Sequence, residues 1–521
     1  MSENLKSTAK VISYIMVIMV IGKLMGLVRE QFFAGVFGVT MEANAFTTAS
    51  SMPRNFFDAV FASAISSSFI PVFNEYLEKK GRKEAYKLAN SFITSVLLFT
   101  LLLTVLGMAF SVPLTAFFAD GYDVQTAELC QKLLVILFPT VILTGIAYSF
   151  VGILQSLDEF AVPAALSIVS NGIIIFYFIF FSRRFGIYGL AAAFLAGWVM
   201  QILIQLPSLS KKGYFFKPDF TVGSEGMKKI FLLMLPVMVS TWVQPINIFI
   251  NQKFASRLFS GSGVTAINYA NTIYTITVGV FVLSVANVIF PRLSRLVTNN
   301  ENEVYGQTIG KTLKTTMYLL IPMTAGLISI STPLIRLVYE RSSFTPYATE
   351  ITSRALAFLS VGMLGFGFQT ILNRAYYAMQ DGKTPMVSGI AAIAANAVLS
   401  MLLIEKLDIA GLALASSAAA FVSALILIVP LEKKIGGILT KDFLKDFLKD
   451  GISALIMAVF VVYIRDFILA LLSDALLSRL AAVFIPALAG VAVYFFLTYA
   501  MGVSEPRMLK DFALSSLKKK K

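Results

Sequence analysis

Long apolar blocks alternate along this chain with short charged connections. By length they predict about fourteen membrane-crossing helices, since each crossing needs roughly 20 apolar residues. The blocks fall at 11–29, 43–70, 88–112, 129–154, 161–182, 186–208 and 228–256. They continue at 264–290, 312–338, 352–379, 385–405, 411–430, 451–472 and 478–502. Several exceed a bilayer's thickness, so tilt or extension beyond it is expected. Pro53, Pro139, Pro236, Pro245 and Pro322 interrupt the blocks, as either packing kinks or breaks lining a cavity. The fold class read from this pattern is an all-α polytopic membrane protein.

Three local patterns recur at one offset. SSFIPVFNEYL, with Pro71, matches NVIFPRLSRLV, with Pro291, 220 residues on. QFFAGVFGVT matches QKFASRLFSGSGVT at an offset of 221, and QSLDEFAVP matches AMQDGKTP at 222. Matches in register predict two pseudo-symmetric six-helix lobes. Residues 1–222 form the N-terminal lobe and 223–440 the C-terminal one. An even helix count inserts both copies the same way, with a substrate site between them. Residues 441–521 hold an interfacial segment, two extra helices and a basic cytoplasmic tail. The segment KDFLKDFLKD at 441–450 reads as amphipathic, with Phe443, Leu444, Phe447 and Leu448 on one face. It suits a helix lying on the membrane surface or a lead-in to the next span.

Composition narrows the class. Only 14% of residues are charged, against about 25% in soluble proteins, and mean hydropathy is +0.79. The net charge of +14 sits between and beside apolar blocks. That favours anionic lipid over nucleic acid. The single cysteine, Cys130, excludes an intrachain disulfide, and the lack of histidine excludes imidazole relays and ligands. Lysines and arginines concentrate after even-numbered blocks, which places both termini in the cytoplasm. The first block follows Lys6 and Lys10 without a small-residue cleavage pattern, so it reads as a retained span.

Candidate chemistry centres on Ile21–Arg54. Lys23 lies within an apolar block, Arg29 and Glu30 at its end, and Arg54 and Asp58 in the next. A charge at membrane depth costs about 2.5–3.5 kcal/mol on insertion scales and so needs a partner or a watery cavity. Gly22 and Gly26 flank Lys23 and leave room for a helix or a ligand. Arginine binds phosphate through two parallel hydrogen bonds, and lysine supplies a compact charge. These cations predict a cavity for an anionic head group, with Glu30 and Asp58 orienting them. The alternative is pairing or snorkelling at helix ends, and Arg54 and Asp58 are spaced for an intrahelical pair. Asn251 and Asn271 belong to a polar band that could contact sugars or peptide or join helices. The chain carries no Walker loop, metal-ligand spacing or nucleophile–base pair, so no enzyme and no cofactor is expected.

GKLMGLVREQFFAGVFG at 22–38, SSFIPVFNEY at 67–76 and NRAYYAMQDGKTP at 373–385 resemble the MviN/MurJ family of lipid II flippases. The resemblance implies the fold of the multidrug/oligosaccharidyl-lipid/polysaccharide exporter superfamily. It implies a substrate too, undecaprenyl-pyrophosphate carrying the peptidoglycan disaccharide-peptide, moved from the inner to the outer leaflet. The family's basic positions in helix one match Lys23 and Arg29, and its acidic neighbour matches Glu30. Its arginine pair after the proline matching Pro53 is replaced here by Phe57 and Asp58, with Arg54 one turn earlier. Its helix-two aspartate is Asn44 and its helix-eight arginine is Thr272. Acids that some members carry in helices seven and eleven have no counterpart, although Asn396 and Ser400 lie in that region.

The expected substrate site is therefore Lys23, Arg29, Glu30, Asn44, Arg54, Asp58, Asn251 and Asn271. Expected partners are a lipid-linked glycan, membrane lipids and cell-wall synthesis enzymes. The expected location is the bacterial cytoplasmic membrane, with a coupling ion or the membrane potential left open as the drive. Three other readings stand beside this one: a flippase for another polyprenyl-linked glycan, a drug/cation antiporter of the same superfamily, and a membrane scaffold. An antiporter needs cavity acids, and a scaffold does not need Lys23.

Overall fold

The computed structural model describes residues 2–507 apart from 59, 60, 62, 64, 222, 242, 473 and 474. Among the described residues there is no strand. In chain order the helices are α1 (Ser2–Phe37), α2 (Met41–Pro53), α3 (Ile70–Lys79), α4 (Gly81–Ala109), α5 (Ser111–Phe118) and α6 (Val124–Leu137). Next come α7 (Thr140–Ser156), α8 (Ala161–Phe180), α9 (Ser182–Lys211), α10 (Glu225–Thr241), α11 (Val243–Ser256) and α12 (Ser262–Thr298). The last are α13 (Asn302–Tyr339), α14 (Pro346–Val361), α15 (Met363–Ala378), α16 (Lys383–Ile435), α17 (Lys441–Leu471) and α18 (Leu476–Ala500).

Nine described helical segments are long and apolar enough to cross a bilayer, and α14 with α15, bent by 46°, makes a tenth. One of the nine, α16, has 53 residues, and Asp408 breaks its backbone between the blocks 385–405 and 411–430. It is a double span. The second apolar block is interrupted after Pro53, where the backbone widens into π turns at Arg54–Asp58 and Ile65–Phe69. Proline has no amide hydrogen and its ring crowds the preceding turn, so the ordinary hydrogen-bond ladder cannot run through it. Wide turns of this kind concentrate at functional positions.

The repeat is written into the backbone. Five pairs of residues with positive φ stand 219 to 223 residues apart: Gly38 and Ser260, Gly81 and Asn300, Asp158 and Gln380, Gly186 and Asp408, Gly213 and Gly436. Each pair falls in equivalent connections of the two six-helix copies. Sequence identity at these points is low, yet φ is positive at both members of each pair.

The chain clusters into two compact units. One is Met1–Thr265 with Arg341–Phe344, and the other is Ala266–Glu340 with Thr345–Lys521. The lobe boundary expected at 222/223 lies inside the first unit, because α10 packs on α3, α4 and the π turn at Ile65–Phe69. There Lys229 and Lys79 both pair with Glu75, whose carboxyl their hydrogen bonds lower to about 2. Arg341–Phe344 joins this unit by a backbone bond, Ser343 N–H to Gly35 O, 3.0 Å.

In the second unit, α17 and α18 form a hairpin packed on α13. Tyr318, Met457, Val461, Val483 and Tyr494 are buried in the seam. Residues 441–450 are the first turns of α17, continuous with its spanning part. Phe443 is buried there, while Leu444, Phe447 and Leu448 are exposed. A largely buried ion pair, Lys314 to Asp446 at 2.7 Å, ties α13 to the start of α17.

Candidate functional site

In the first unit, α8 approaches α1 closely at Gly22, while Gly26 leaves room for a Cβ at ordinary contact. A Cβ on Gly22 would come within 2.2 Å of Ser167 Oγ, and one on Gly26 within 3.6 Å of Asn171 Nδ2. The Asn171 side chain donates to Gly22 O at 3.3 Å, locking α8 against α1. Lys23 is the next residue, about 100° further round the helix. It is exposed, and it makes no ion pair or hydrogen bond with any described residue.

Arg29 behaves differently. Its guanidinium pairs with the adjacent Glu30, and both side chains are largely covered. It also lies 5.9 Å from the centre of the Phe194 ring. One carboxylate and one aromatic face hold this arginine in a fixed pose. Lys23 and Arg29 are six residues apart, about 120° around the helix, whereas Lys23 and Glu30 fall nearly on one line. Arg54 opens the first π turn and is half-buried. The side chain of Asp58 lies outside the described residues.

Asn44 is 1% exposed and fully engaged. Its amide donates to Val39 O at 3.1 Å, and its oxygen accepts from the Thr265 hydroxyl and, at 3.3 Å, the Thr265 N–H. That side chain clips the turn after α1 to the start of α12. Asn251 is half-buried on α11 in the same unit. Asn271 is exposed and belongs to the second unit. Lys23, Arg29, Glu30, Asn44, Arg54 and Asn251 are thus carried by one compact body.

A further charged group in this unit has no local sequence signature. Arg257 grips Asp120 with two hydrogen bonds of 3.0 and 2.6 Å. Lys253 lies 3.4 Å from the same carboxylate and 4.5 Å from the Phe117 ring centre. Arg257's hydrogen bond is the main reason the Asp120 carboxyl sits below its ordinary value, with burial opposing. Nearby, the Ser51 hydroxyl donates to Gln252 Oε1 at 2.6 Å, and Tyr122 donates to Asn44 O at 2.9 Å. Only a contact across 137 residues brings Asp120 to Arg257, so no periodicity could reveal it.

Among the described residues the unit thus carries one cation without an ion pair, one arginine held by an acid and a ring, and a third cation at a helix break. Among the described residues no three acidic or cysteine side chains converge as a metal site.

The chain is similar to several known proteins. Residues 33–496 match the family model described as lipid II flippase MurJ. The chain is 31% identical over 449 residues to the lipid II flippase MurJ of Thermosipho africanus, covering 85% of this chain and 88% of that one. It is 30% identical over 433 residues to the probable lipid II flippase MurJ of Buchnera aphidicola, covering 81% and 84%. A solved structure of lipid II flippase MurJ in an inward closed conformation superposes with a TM-score of 0.79 at 28% identity, over 94% of this chain and 98% of that chain. An inward-facing multidrug resistance MATE transporter of the MOP superfamily shares the fold, with a TM-score of 0.67 at 16% identity, over 80% and 95%.

Proposed function

The chain belongs to the lipid II flippase MurJ family, and we propose that it carries lipid II from the inner to the outer leaflet by alternating access. The observation that carries the role of the site is Lys23, a cation in an apolar span with no partner among the described residues.

The chemistry of the substrate sets the task. A polyprenyl tail is stable in the bilayer, with each buried methylene worth about 0.8 kcal/mol. Only the pyrophosphate and its sugars need a polar path. Lys23 meets the pyrophosphate as a compact charge, and Arg29 meets it with a fork already oriented by Glu30 and Phe194. Glu30 offsets one of the site's three positive charges, so the head group is not held too tightly to leave. The wide turn at Arg54 gives the second block a point where its direction can change. Rocking of the two six-helix copies then exposes the site to each leaflet in turn. These roles are binding and orientation; no covalent step is assigned to the chain. Both termini lie in the cytoplasm on the distribution of lysine and arginine. A coupling ion or the membrane potential supplies the drive, and cell-wall synthesis enzymes receive the product.

Growth of cells depleted of their own lipid II flippase tests this reading. The wild-type chain restores growth; Lys23→Ala and Arg29→Ala accumulate in the membrane but do not. Full rescue by both variants overturns the assignment of the site, and absence of rescue by the wild type overturns the substrate.

A further inference from the structure

The second unit contains a cavity remote in sequence from Lys23. It is about 240 Å³ and lies where α13, α17 and α18 end together. Its lining is mixed. Pro333, Leu469, Leu472 and Ala482 are apolar, Arg336 and Arg479 are cationic, and Ser478 adds a neutral hydroxyl.

The arginines are organised around one acid. Glu340 lies 3.3 Å from Arg336 Nε and 3.7 Å from Arg479 Nη2, and its carboxylate accepts the Thr349 hydroxyl at 2.6 Å. Arg479 Nη1 also donates to Glu340 O at 3.2 Å. The group thus has two positive charges on one negative, and all of Glu340's partners hold it in place. Arg336 uses only Nε. Its two terminal nitrogens make no hydrogen bond with any described residue. A guanidinium with an open fork beside a cavity fits two unesterified oxygens of one phosphate.

The surroundings select how that phosphate arrives. Leu471, Leu472, Leu476 and Leu477, at the turn joining α17 and α18, are all exposed. An apolar turn beside a cationic cavity suits the boundary between head groups and acyl chains, where the phosphate of a lipid already resides. A free anion would lose its water without any compensating apolar contact, whereas the glycerol and first acyl carbons of a lipid fill the Leu469–Leu472 wall.

We propose that this cavity binds the phosphate of an anionic phospholipid, with Arg336 as the main donor. The site is independent of lipid II transport and stands or falls apart from it.

Thermal unfolding of the purified full-length protein in detergent, titrated with phosphatidylglycerol, tests the site. The wild type rises in Tm with phosphatidylglycerol, not with phosphatidylcholine, and not with inorganic phosphate at the same concentration. Arg336→Gln weakens the response on the order of tenfold or more. Leu472→Trp, which fills the mouth of the cavity and leaves the ion pairs alone, weakens it as well. An equal rise with phosphatidylcholine, an equal rise with inorganic phosphate, or an unchanged response in both variants overturns the proposal.

Discussion

Asp408 adopts the backbone conformation of Gly186, 222 residues before it: φ 51°, ψ −131° against φ 52°, ψ −143°. Both residues join two apolar blocks at the same point of the six-helix repeat. Glycine reaches this region freely, while a side chain there costs of order 1–3 kcal/mol. Asp408→Gly therefore raises stability by about 1 kcal/mol or more, and Gly186→Ala lowers it by a similar amount. Thermal unfolding of the purified variants checks both, and the opposite signs are the diagnostic feature.

Lys314 and Asp446 form a largely buried pair in the second unit. Removing one partner leaves a charge without its counter-ion at a cost of about 3–5 kcal/mol. Lys314→Met should thus sharply reduce Tm and membrane accumulation. The double variant Lys314→Met with Asp446→Leu should recover most of that loss, because the pair itself contributes little net stability. Equal damage in single and double variants would contradict the pairing.

The Asp120–Arg257 clamp makes a pH prediction. Asp120 titrates below its ordinary value of 3.8 in the folded chain, chiefly through Arg257's hydrogen bond. Its contribution to stability is full above that ordinary value and is lost as pH falls through the lower folded value. Arg257→Gln removes this component. The variant should be less stable near neutrality and should lose less further stability on acidification than the wild type. Unfolding midpoints measured across the acid range check the sign. A parallel acid loss in both proteins would place the titrating group elsewhere.

Much of the fold was legible because its signals are local. Apolar block length marks the spans, and motif matches near Pro71 and Pro291 marked a repeat that the paired positive-φ residues extend through five connections. Lys23 was legible for the same reason, since a charge inside an apolar block is costly wherever the chain goes. What local pattern could not supply was partnership. Asn44 stood in the expected substrate site in place of a helix-two aspartate, and nothing in the sequence showed that its amide bonds Val39 and Thr265. Phe443 read on one apolar face with Leu444, Phe447 and Leu448, but it is buried with Asp446, three residues on, while the other three are exposed. The Asp120 clamp joins residues 137 apart. Such contacts depend on tertiary packing, and helical periodicity contains no term for them.

The central claim is that Lys23 engages the pyrophosphate of lipid II. Its most direct test is flipping of a fluorescent lipid II by the purified protein in vesicles, comparing the wild type with Lys23→Ala and Lys23→Arg at equal reconstituted amounts. The account predicts at least about a tenfold loss of flipping for Lys23→Ala, the scale of one charged hydrogen bond, and substantial activity for Lys23→Arg. Wild-type flipping by Lys23→Ala would contradict it.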